Sequence, residues 1–369
     1  MTDYPESPGS LKPGWNFSDS HMNEQRLDIK RSLRLDGSLA PPALNYLEEL
    51  PANYTYLHDH ARRHPLGIYN LSLDLLEKNF SKVFSNYVQC LKVLKGKIQI
   101  DGGLIQCNLS EEYLDLLQSQ QNLIYSLRSH IDDCYAVLAS LINPATVSAR
   151  ANKIVFTDKW LEAVKFPSLK LFNRQIAFFK NEWIGPLVNG LKHRQCRLRG
   201  LFFYRYYDIR LGYYLEDSHS DGVPGPSALV HKDRNSAFSF ARDIRLNLFH
   251  VYRISEALVD ALKTVVRTMH SFELKATNSN ARNEKWTALF EQLKMVPLRV
   301  FPDEMEKSVA RVTYGELPGN EFVELSYPWL IWSPTFPTGM KITSSFELDG
   351  VGKTYKLPYL APSNYGQVR

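Results

Sequence analysis

Apolar residues recur at three- and four-residue steps along four long stretches of the chain, which predicts four long helices. The first runs from about Ser72 to Lys97, and the second from Ser110 to a proline stop at Asn143–Pro144. The third spans Ser168 to about Gln195, with a kink expected at Gly185–Pro186, and the fourth spans Arg234 to about His270. We expect these helices to form a bundle in which the first two pack antiparallel.

The second helix carries an apolar stripe close to a heptad pattern, which calls for a partner helix. The stripe consists of Leu117, Ile124, Ile131 and Leu138. Only Gln120 interrupts it.

Other segments have a different pattern. Residues 199–215 are rich in aromatic side chains and predict one or two strands inserted into the bundle. Short strand-like runs separated by Pro and Gly predict a small antiparallel β unit over 298–369. Residues 1–42 are polar and punctuated by proline, which is typical of an extended arm, and they precede a helical bundle domain over 43–297. The expected fold class is an α-dominated α+β fold.

Composition excludes several classes of protein. The 369 residues are 44% hydrophobic and 22% charged, values of a globular chain rather than a disordered or collagen-like one. We find no apolar window long enough to span a bilayer and no secretory signal pattern, so we expect a cytoplasmic protein that does not enter membranes. The four cysteines form no C-x-x-C pair, which disfavours a zinc knuckle or a thioredoxin-type site.

The formal net charge of +5 is unevenly distributed. Residues 165–214 contain ten basic and two acidic residues, a net charge of +8, which leaves −3 for the remainder of the chain. The densest basic run leads directly into the aromatic segment. Cations neutralise phosphates, and aromatic rings stack on unpaired bases, so this surface over 192–210 predicts contact with RNA or another polyanion. The residues we expect to make that contact are Lys192, Arg194, Arg197, Arg199, Arg205, Tyr204 and Tyr206.

The fourth helix contains the spacing R-x4-H, formed by Arg245 and His250. At this point the chain resembles the HEPN superfamily, whose members are helical bundles with an R-x4–6-H motif on a late helix. Many of them are metal-independent ribonucleases that act as dimers. The resemblance implies that Arg245 holds the scissile phosphate and that His250 transfers a proton. The resemblance also implies that the protein is a ribonuclease that needs no cofactor and acts as a homodimer. Such a ribonuclease could serve as a toxin or a defence effector.

Two departures separate this chain from that pattern. The family usually has a polar residue directly after the arginine, where Leu246 stands here, and the polar Asn247 comes one position later. Five residues span about 140° of a helix, so Arg245 and His250 flank the apolar stripe instead of sharing a face, and a dimer interface would have to unite them. The alternative function is non-catalytic: a nucleic-acid-binding or protein-interaction module that uses the basic aromatic surface over 192–210.

Metal and nucleotide sites have weaker support. His58, His60 and His64 lie close together, but Pro65 follows and no further ligand set is evident. The pattern His219-x-Asp221 with the distant His231 resembles the ligands of non-haem iron oxygenases, but the surrounding turn formers favour a surface loop. Residues 350–354 lack the first glycine of a P-loop and a following helix. We therefore expect no metal and no cofactor.

Overall fold

The computed structural model describes residues 29–33, 39–101, 104–106, 111–205, 208–218, 224–231, 236–271, 284–301, 304, 308–317, 320–330 and 342–343. Helices dominate this part of the chain and short antiparallel sheets accompany them, so the predicted α-dominated α+β fold is confirmed. The α-helices are α1 (Pro42–Glu49), α2 (Pro65–Lys97), α3 (Glu111–Ala139), α4 (Thr157–Ala163), α5 (Leu169–Ala177), α6 (Gly185–His193), α7 (Phe240–His270) and α8 (Glu284–Lys294).

Helices α2 and α3 lie antiparallel, as the sequence predicts. Ser72 near the start of α2 hydrogen-bonds His130 near the end of α3, and Lys97 at the end of α2 pairs with Glu112 at the start of α3. A small hairpin of β2 (Gln99–Asp101) and β3 (Leu104–Gln106) joins them. Ile124, Ile131 and Leu138 of the predicted stripe are buried, and Leu117 is partly buried and packs against the same core.

Two predicted helix starts differ from the structure for local reasons. Helix α2 begins at Pro65 rather than Ser72, because proline fits the first helical position and holds His64 before it in an extended conformation. Helix α7 begins at Phe240 rather than Arg234, since Ser239 is its N-cap and its hydroxyl accepts a hydrogen bond from the Arg242 N–H.

The third predicted helix is built from α5, a π-helix over Phe178–Ile184, and α6. The N–H of Gly185 donates to Lys180 O, five residues earlier. Pro186 has no N–H to donate, so an ordinary α-helical ladder cannot continue through it. A β-carbon at Gly185 would lie 2.4 Å from Lys180 O, which makes glycine necessary in this wide turn. The break expected at Gly185–Pro186 therefore takes the form of a π-helix.

The described strands form two larger antiparallel sheets besides the β2–β3 hairpin. The strands of these two sheets are β1 (Ile29–Leu33), β4 (Arg197–Arg205), β5 (Asp208–Ser218), β6 (Pro224–Pro226), β7 (Phe238–Ser239), β8 (Ser308–Leu317), β9 (Asn320–Leu330) and β10 (Ile342–Thr343). One sheet has the order β1–β9–β8, and the other has the order β10–β4–β5–β6, with β7 also paired to β5. The aromatic segment after the basic run is thus a hairpin of β4 and β5.

These pairings join segments that the sequence assigns to different units. Strand β1, within the predicted arm 1–42, pairs with β9, and β10 adds to the edge of β4. Ala310, Val323 and Leu325 also belong to the same hydrophobic core as the helices. These contacts cross the predicted boundaries between arm, bundle and β unit. The division into those three units stays a prediction.

Helix α7 runs through the middle of the core. Among residues 240–252, every one except Arg242 is buried. Farther along α7, the Ser255 hydroxyl accepts hydrogen bonds from the Ala43 N–H and the Tyr69 hydroxyl, while Ser168 donates to Ala261 O. Elements on several sides therefore enclose this helix.

In the part of the chain that the structure describes, no helix combines the length and the apolar character needed to cross a membrane. Cys90, Cys134 and Cys196 are buried. Burial raises the pKa of the Cys196 thiol to about 11, so it stays protonated and unreactive near neutral pH.

Candidate functional site

Arg245 of the R-x4-H motif lies inside the protein, with 8% of its surface exposed. Its guanidinium donates hydrogen bonds to Ala241 O, at 2.9 Å, and to Val296 O, at 2.7 Å. Burial lowers the pKa of Arg245, while the nearby Tyr87 and Tyr314 act in the opposite direction. The side chain thus ties α7 to the segment that follows α8.

His250 is also buried, with 6% of its surface exposed. Its ring stacks on Phe179 of the π-helix, with 4.5 Å between the ring centroids. Among the described residues its Nε2 has no hydrogen-bond partner, and burial lowers the pKa of His250 to about 3. The imidazole is therefore neutral near physiological pH.

The sequence places Arg245 and His250 on the flanks of an apolar stripe, but both lie within the core. The reason is that α7 is enclosed on several sides, which the pattern along one helix does not reveal. In the described conformation neither side chain meets the solvent where a phosphate would arrive. Their assignment as catalytic residues of a ribonuclease stays a prediction, and it requires a conformation or a dimer that opens this region.

A polar network that the sequence pattern does not reveal lies at the start of α7. Asp243 is fully buried and accepts hydrogen bonds from the Tyr213 hydroxyl and from Arg242. Gln120 donates to the Tyr213 hydroxyl at 3.2 Å, which explains the polar residue in the apolar stripe of α3. Burial raises the pKa of Asp243 to about 7, while Arg242 and the hydrogen bond from Tyr213 act in the opposite direction.

The same network reaches the π-helix and Glu304. The indole of Trp183 donates to Asn247 Oδ1 at 3.1 Å, and the Arg242 guanidinium lies 5.1 Å from the centre of the Trp183 ring. Glu304 accepts the N–H groups of Ser239 and Phe301. These contacts give several buried polar groups a hydrogen-bond partner and fix the start of α7 against two other segments.

The predicted nucleic-acid surface begins where α6 turns into β4. Gln195 has a positive φ of 56°, a conformation that reverses the chain direction after a helix. The N–H groups of Arg194 and Cys196 both donate to Gly190 O, at 3.1 Å and 3.3 Å. Lys192 and Arg194 are exposed on this turn. We call Lys192, Arg194, Arg197 and Arg199 together the α6–β4 corner.

Two arginines of the corner share one carboxylate. Arg197 pairs with Glu216 Oε1 at 2.8 Å, and Arg199 pairs with Glu216 Oε2 at 2.9 Å. Glu216 is 6% exposed, whereas the side chain of Arg197 is 58% exposed. Because two cations face one carboxylate, the trio keeps a net positive charge at its solvent side.

Arg205, which belongs to the predicted surface over 192–210, is far from this corner along the backbone. Arg205 lies at the other end of β4, roughly 26 Å from Arg197 along the strand. Leu201 and Tyr214, between the two ends, are buried with Phe301. The side chains of Arg205 and Tyr204 and the whole of Tyr206 lie outside the described residues, so their predicted contacts stay predictions.

The histidine clusters do not form metal sites in the described part of the chain. No group of three or more histidine, cysteine, aspartate or glutamate side chains there is arranged to hold a metal. His58 uses both ring nitrogens, one with Ala139 O and one with the His60 N–H. His231 Nε2 accepts the N–H of Leu215, and His219 and Asp221 lie outside the described residues.

Comparisons with known proteins do not add a relationship. The chain matches no family model, no curated protein and no solved structure. The resemblance to the HEPN superfamily therefore stays a prediction, and functional argument rests on the chemistry of the chain itself.

Proposed function

We propose that this protein binds nucleic acid without catalysis, through phosphate contacts at the α6–β4 corner. The observation that carries the proposal is the exposure of Lys192, Arg194 and Arg197 where one helix turns into one strand. Exposed cations that lie close together attract phosphates and release their counterions, which supplies most of the affinity for a nucleic-acid backbone.

The charge balance of the corner supports this proposal. Arg197 and Arg199 share the carboxylate of Glu216, and the Asp217 carboxylate lies beside Cys196, so the four cations and these two carboxylates carry a net charge of +2. Stabilisation of the helix end explains part of this concentration of basic residues, because cations in the last turn of a helix interact favourably with the helix dipole. That role covers Lys192, in the last turn of α6, but not Arg194 and Arg197, which lie beyond it.

Guanidinium groups also suit phosphate better than ammonium groups, because their planar donors form paired hydrogen bonds. Arg197 and Arg199 use Nε for Glu216. The carboxylate holds each guanidinium in place before a ligand arrives. Such preorganisation lowers the entropy cost of binding.

The test is a double substitution, Lys192→Gln with Arg194→Gln, in the full-length chain. We expect it to weaken binding of a short single-stranded RNA about tenfold at low salt. We also expect the slope of log Kd against log salt to fall by about 0.7 for each phosphate that the variant no longer neutralises. Fluorescence anisotropy over a salt series measures both quantities.

The matched control is Lys170→Gln with Arg174→Gln, two exposed residues of α5 that lie roughly 30 Å away along the helical axis. It removes the same charge and should leave the salt slope close to that of the unmodified protein. Equal losses in both variants would show a nonspecific effect of net charge. No binding to RNA at low salt would reject the proposal.

A further inference from the structure

Tyr125, on the outer side of α3, lies beside the α6–β4 corner. Its ring is partly exposed, and it packs against the core with its inner side. The ammonium group of Lys192 lies 5.3 Å from the centre of the ring. Gln121 Nε2 donates to the Tyr125 hydroxyl at 3.3 Å, which holds the ring in place. A rigid aromatic ring and a corner cation are thus adjacent.

Polar side chains continue along the same side of α3 at steps of three and four residues. Gln118 and Asn122 are exposed one to two turns before Tyr125, and their amides hydrogen-bond each other at 3.1 Å. Arg128 follows one turn after Tyr125 and pairs with Asp132 at 3.0 Å. Amides offer both donors and acceptors, which match the edges of bases, while the Arg128–Asp132 pair ends the uncharged stretch.

We propose that Tyr125 stacks on an unpaired base of a single-stranded nucleic acid whose phosphates bind the α6–β4 corner. This inference rests on the proposed function and names its ligand class. In the free protein Lys192 occupies the ring. When a strand binds, the ammonium group of Lys192 moves to a phosphate and a base takes its place on Tyr125.

The exchange is favourable because each partner ends in a stronger interaction. A cation over an exposed aromatic ring is held only weakly, whereas a base that stacks on a tyrosine contributes more, and an ammonium group on a phosphate forms a charge-assisted hydrogen bond. A duplex offers no such advantage, since its base faces are already covered by their neighbours. The site therefore distinguishes strands with free base faces from duplexes and from chains of phosphate alone.

The experiment compares Tyr125→Leu with Tyr125→Phe in the full-length protein. The variants are titrated with three probes: a short single-stranded RNA, the blunt duplex of the same length, and polyphosphate. We expect Tyr125→Leu to weaken binding of the single strand about tenfold and to leave the other two probes unchanged. Tyr125→Phe keeps the ring and should stay within about twofold of the unmodified protein.

Each alternative outcome is distinct. If Tyr125→Leu leaves single-strand affinity unchanged while Lys192→Gln with Arg194→Gln weakens every probe, the stacking proposal is overturned and the proposed function stands. Equal losses in Tyr125→Phe and Tyr125→Leu would assign the effect to the hydroxyl contact with Gln121, which also overturns stacking. A separate titration of the unmodified protein with polyglutamate tests for an acidic protein partner, and tighter binding of polyglutamate than of RNA would overturn both proposals in favour of that partner. No binding of any probe would also reject both proposals.

Discussion

Two regions of this protein that carry basic side chains have opposite environments, the core around α7 and the exposed α6–β4 corner. On α7, Arg245 and His250 are enclosed, and their neighbours are backbone carbonyls and phenylalanine rings. At the α6–β4 corner, Lys192 and Arg194 are exposed, and the ammonium group of Lys192 lies over the ring of Tyr125. The first place contains the short motif that the sequence favours for catalysis, while the second has the accessible charge.

Residue type and spacing along the chain therefore do not identify a binding or catalytic site unless the solvent exposure of the side chains is also known. A guanidinium that donates to Val296 O stabilises the packing of two segments, because an unpaired carbonyl in the core would be costly. The same group on a turn keeps donors available for a phosphate. Substitutions in the two places should therefore affect different measurements.

The largest effect is expected for Arg245→Ala. It removes a buried side chain and leaves Val296 O without its donor, so the free energy of unfolding should fall by about 3 kcal/mol. Urea denaturation followed by circular dichroism measures the change. Arg194→Ala, at the exposed corner, should alter it by less than about 0.5 kcal/mol. Equal losses in free energy of unfolding for the two substitutions would contradict the distinction between a buried Arg245 and an exposed Arg194.

A smaller and pH-dependent effect is expected for His250→Phe. The pKa of His250 is about 3 in the folded protein, below the ordinary value of about 6.5 for an unfolded chain. Between these values only the unfolded state takes up the proton, so the unmodified protein becomes less stable as the pH falls below about 6.5. The variant has no such group. Its stability relative to the unmodified protein should rise by about 2–3 kcal/mol from about pH 7 to about pH 4.5.

Urea denaturation at the two pH values measures that difference. Phe179→Leu is the control, because it changes the ring that stacks on His250 but neither adds nor removes a titratable group. The loss in free energy of unfolding that it causes should therefore be the same at both pH values. A difference between His250→Phe and the unmodified protein that does not vary with pH would show that His250 is accessible to protons. That result would favour the ribonuclease hypothesis for Arg245 and His250 over the packing role.

The smallest effect is expected for Gln195→Gly at the corner. Gln195 has a φ of 56°, which is unfavourable for a residue with a β-carbon and acceptable for glycine. The substitution removes the backbone strain at this position, but glycine also gains conformational entropy in the unfolded chain, which offsets part of the benefit. The free energy of unfolding should therefore rise by about 0.5 kcal/mol. RNA affinity should not change, because the turn that presents Lys192 and Arg194 is retained. Gln195→Ala keeps the β-carbon, so a gain of the same size there would contradict the explanation.

Some of the candidate site could be predicted from the sequence, and some could not. The concentration of positive charge over 165–214 is a property of composition, and it led to Lys192 and Arg194. The sequence does not indicate Tyr125, because this residue lies on another helix and only packing brings its ring to within 5.3 Å of the Lys192 ammonium group. Gln120 is an irregularity in the sequence pattern, and the structure explains it by the hydrogen bond to Tyr213, which in turn donates to Asp243.

The sequence by itself determined the α-dominated α+β fold class, the antiparallel pairing of α2 and α3 and the break before Pro186. These depend on local periodicity and on the missing N–H of proline, which act within a few turns of chain. Only the tertiary structure decided that β1 pairs with β9, that α7 is enclosed, and that Arg245 and His250 are buried. Burial depends on contacts between residues far apart in the chain, and a pattern along one helix cannot record what packs against its other sides.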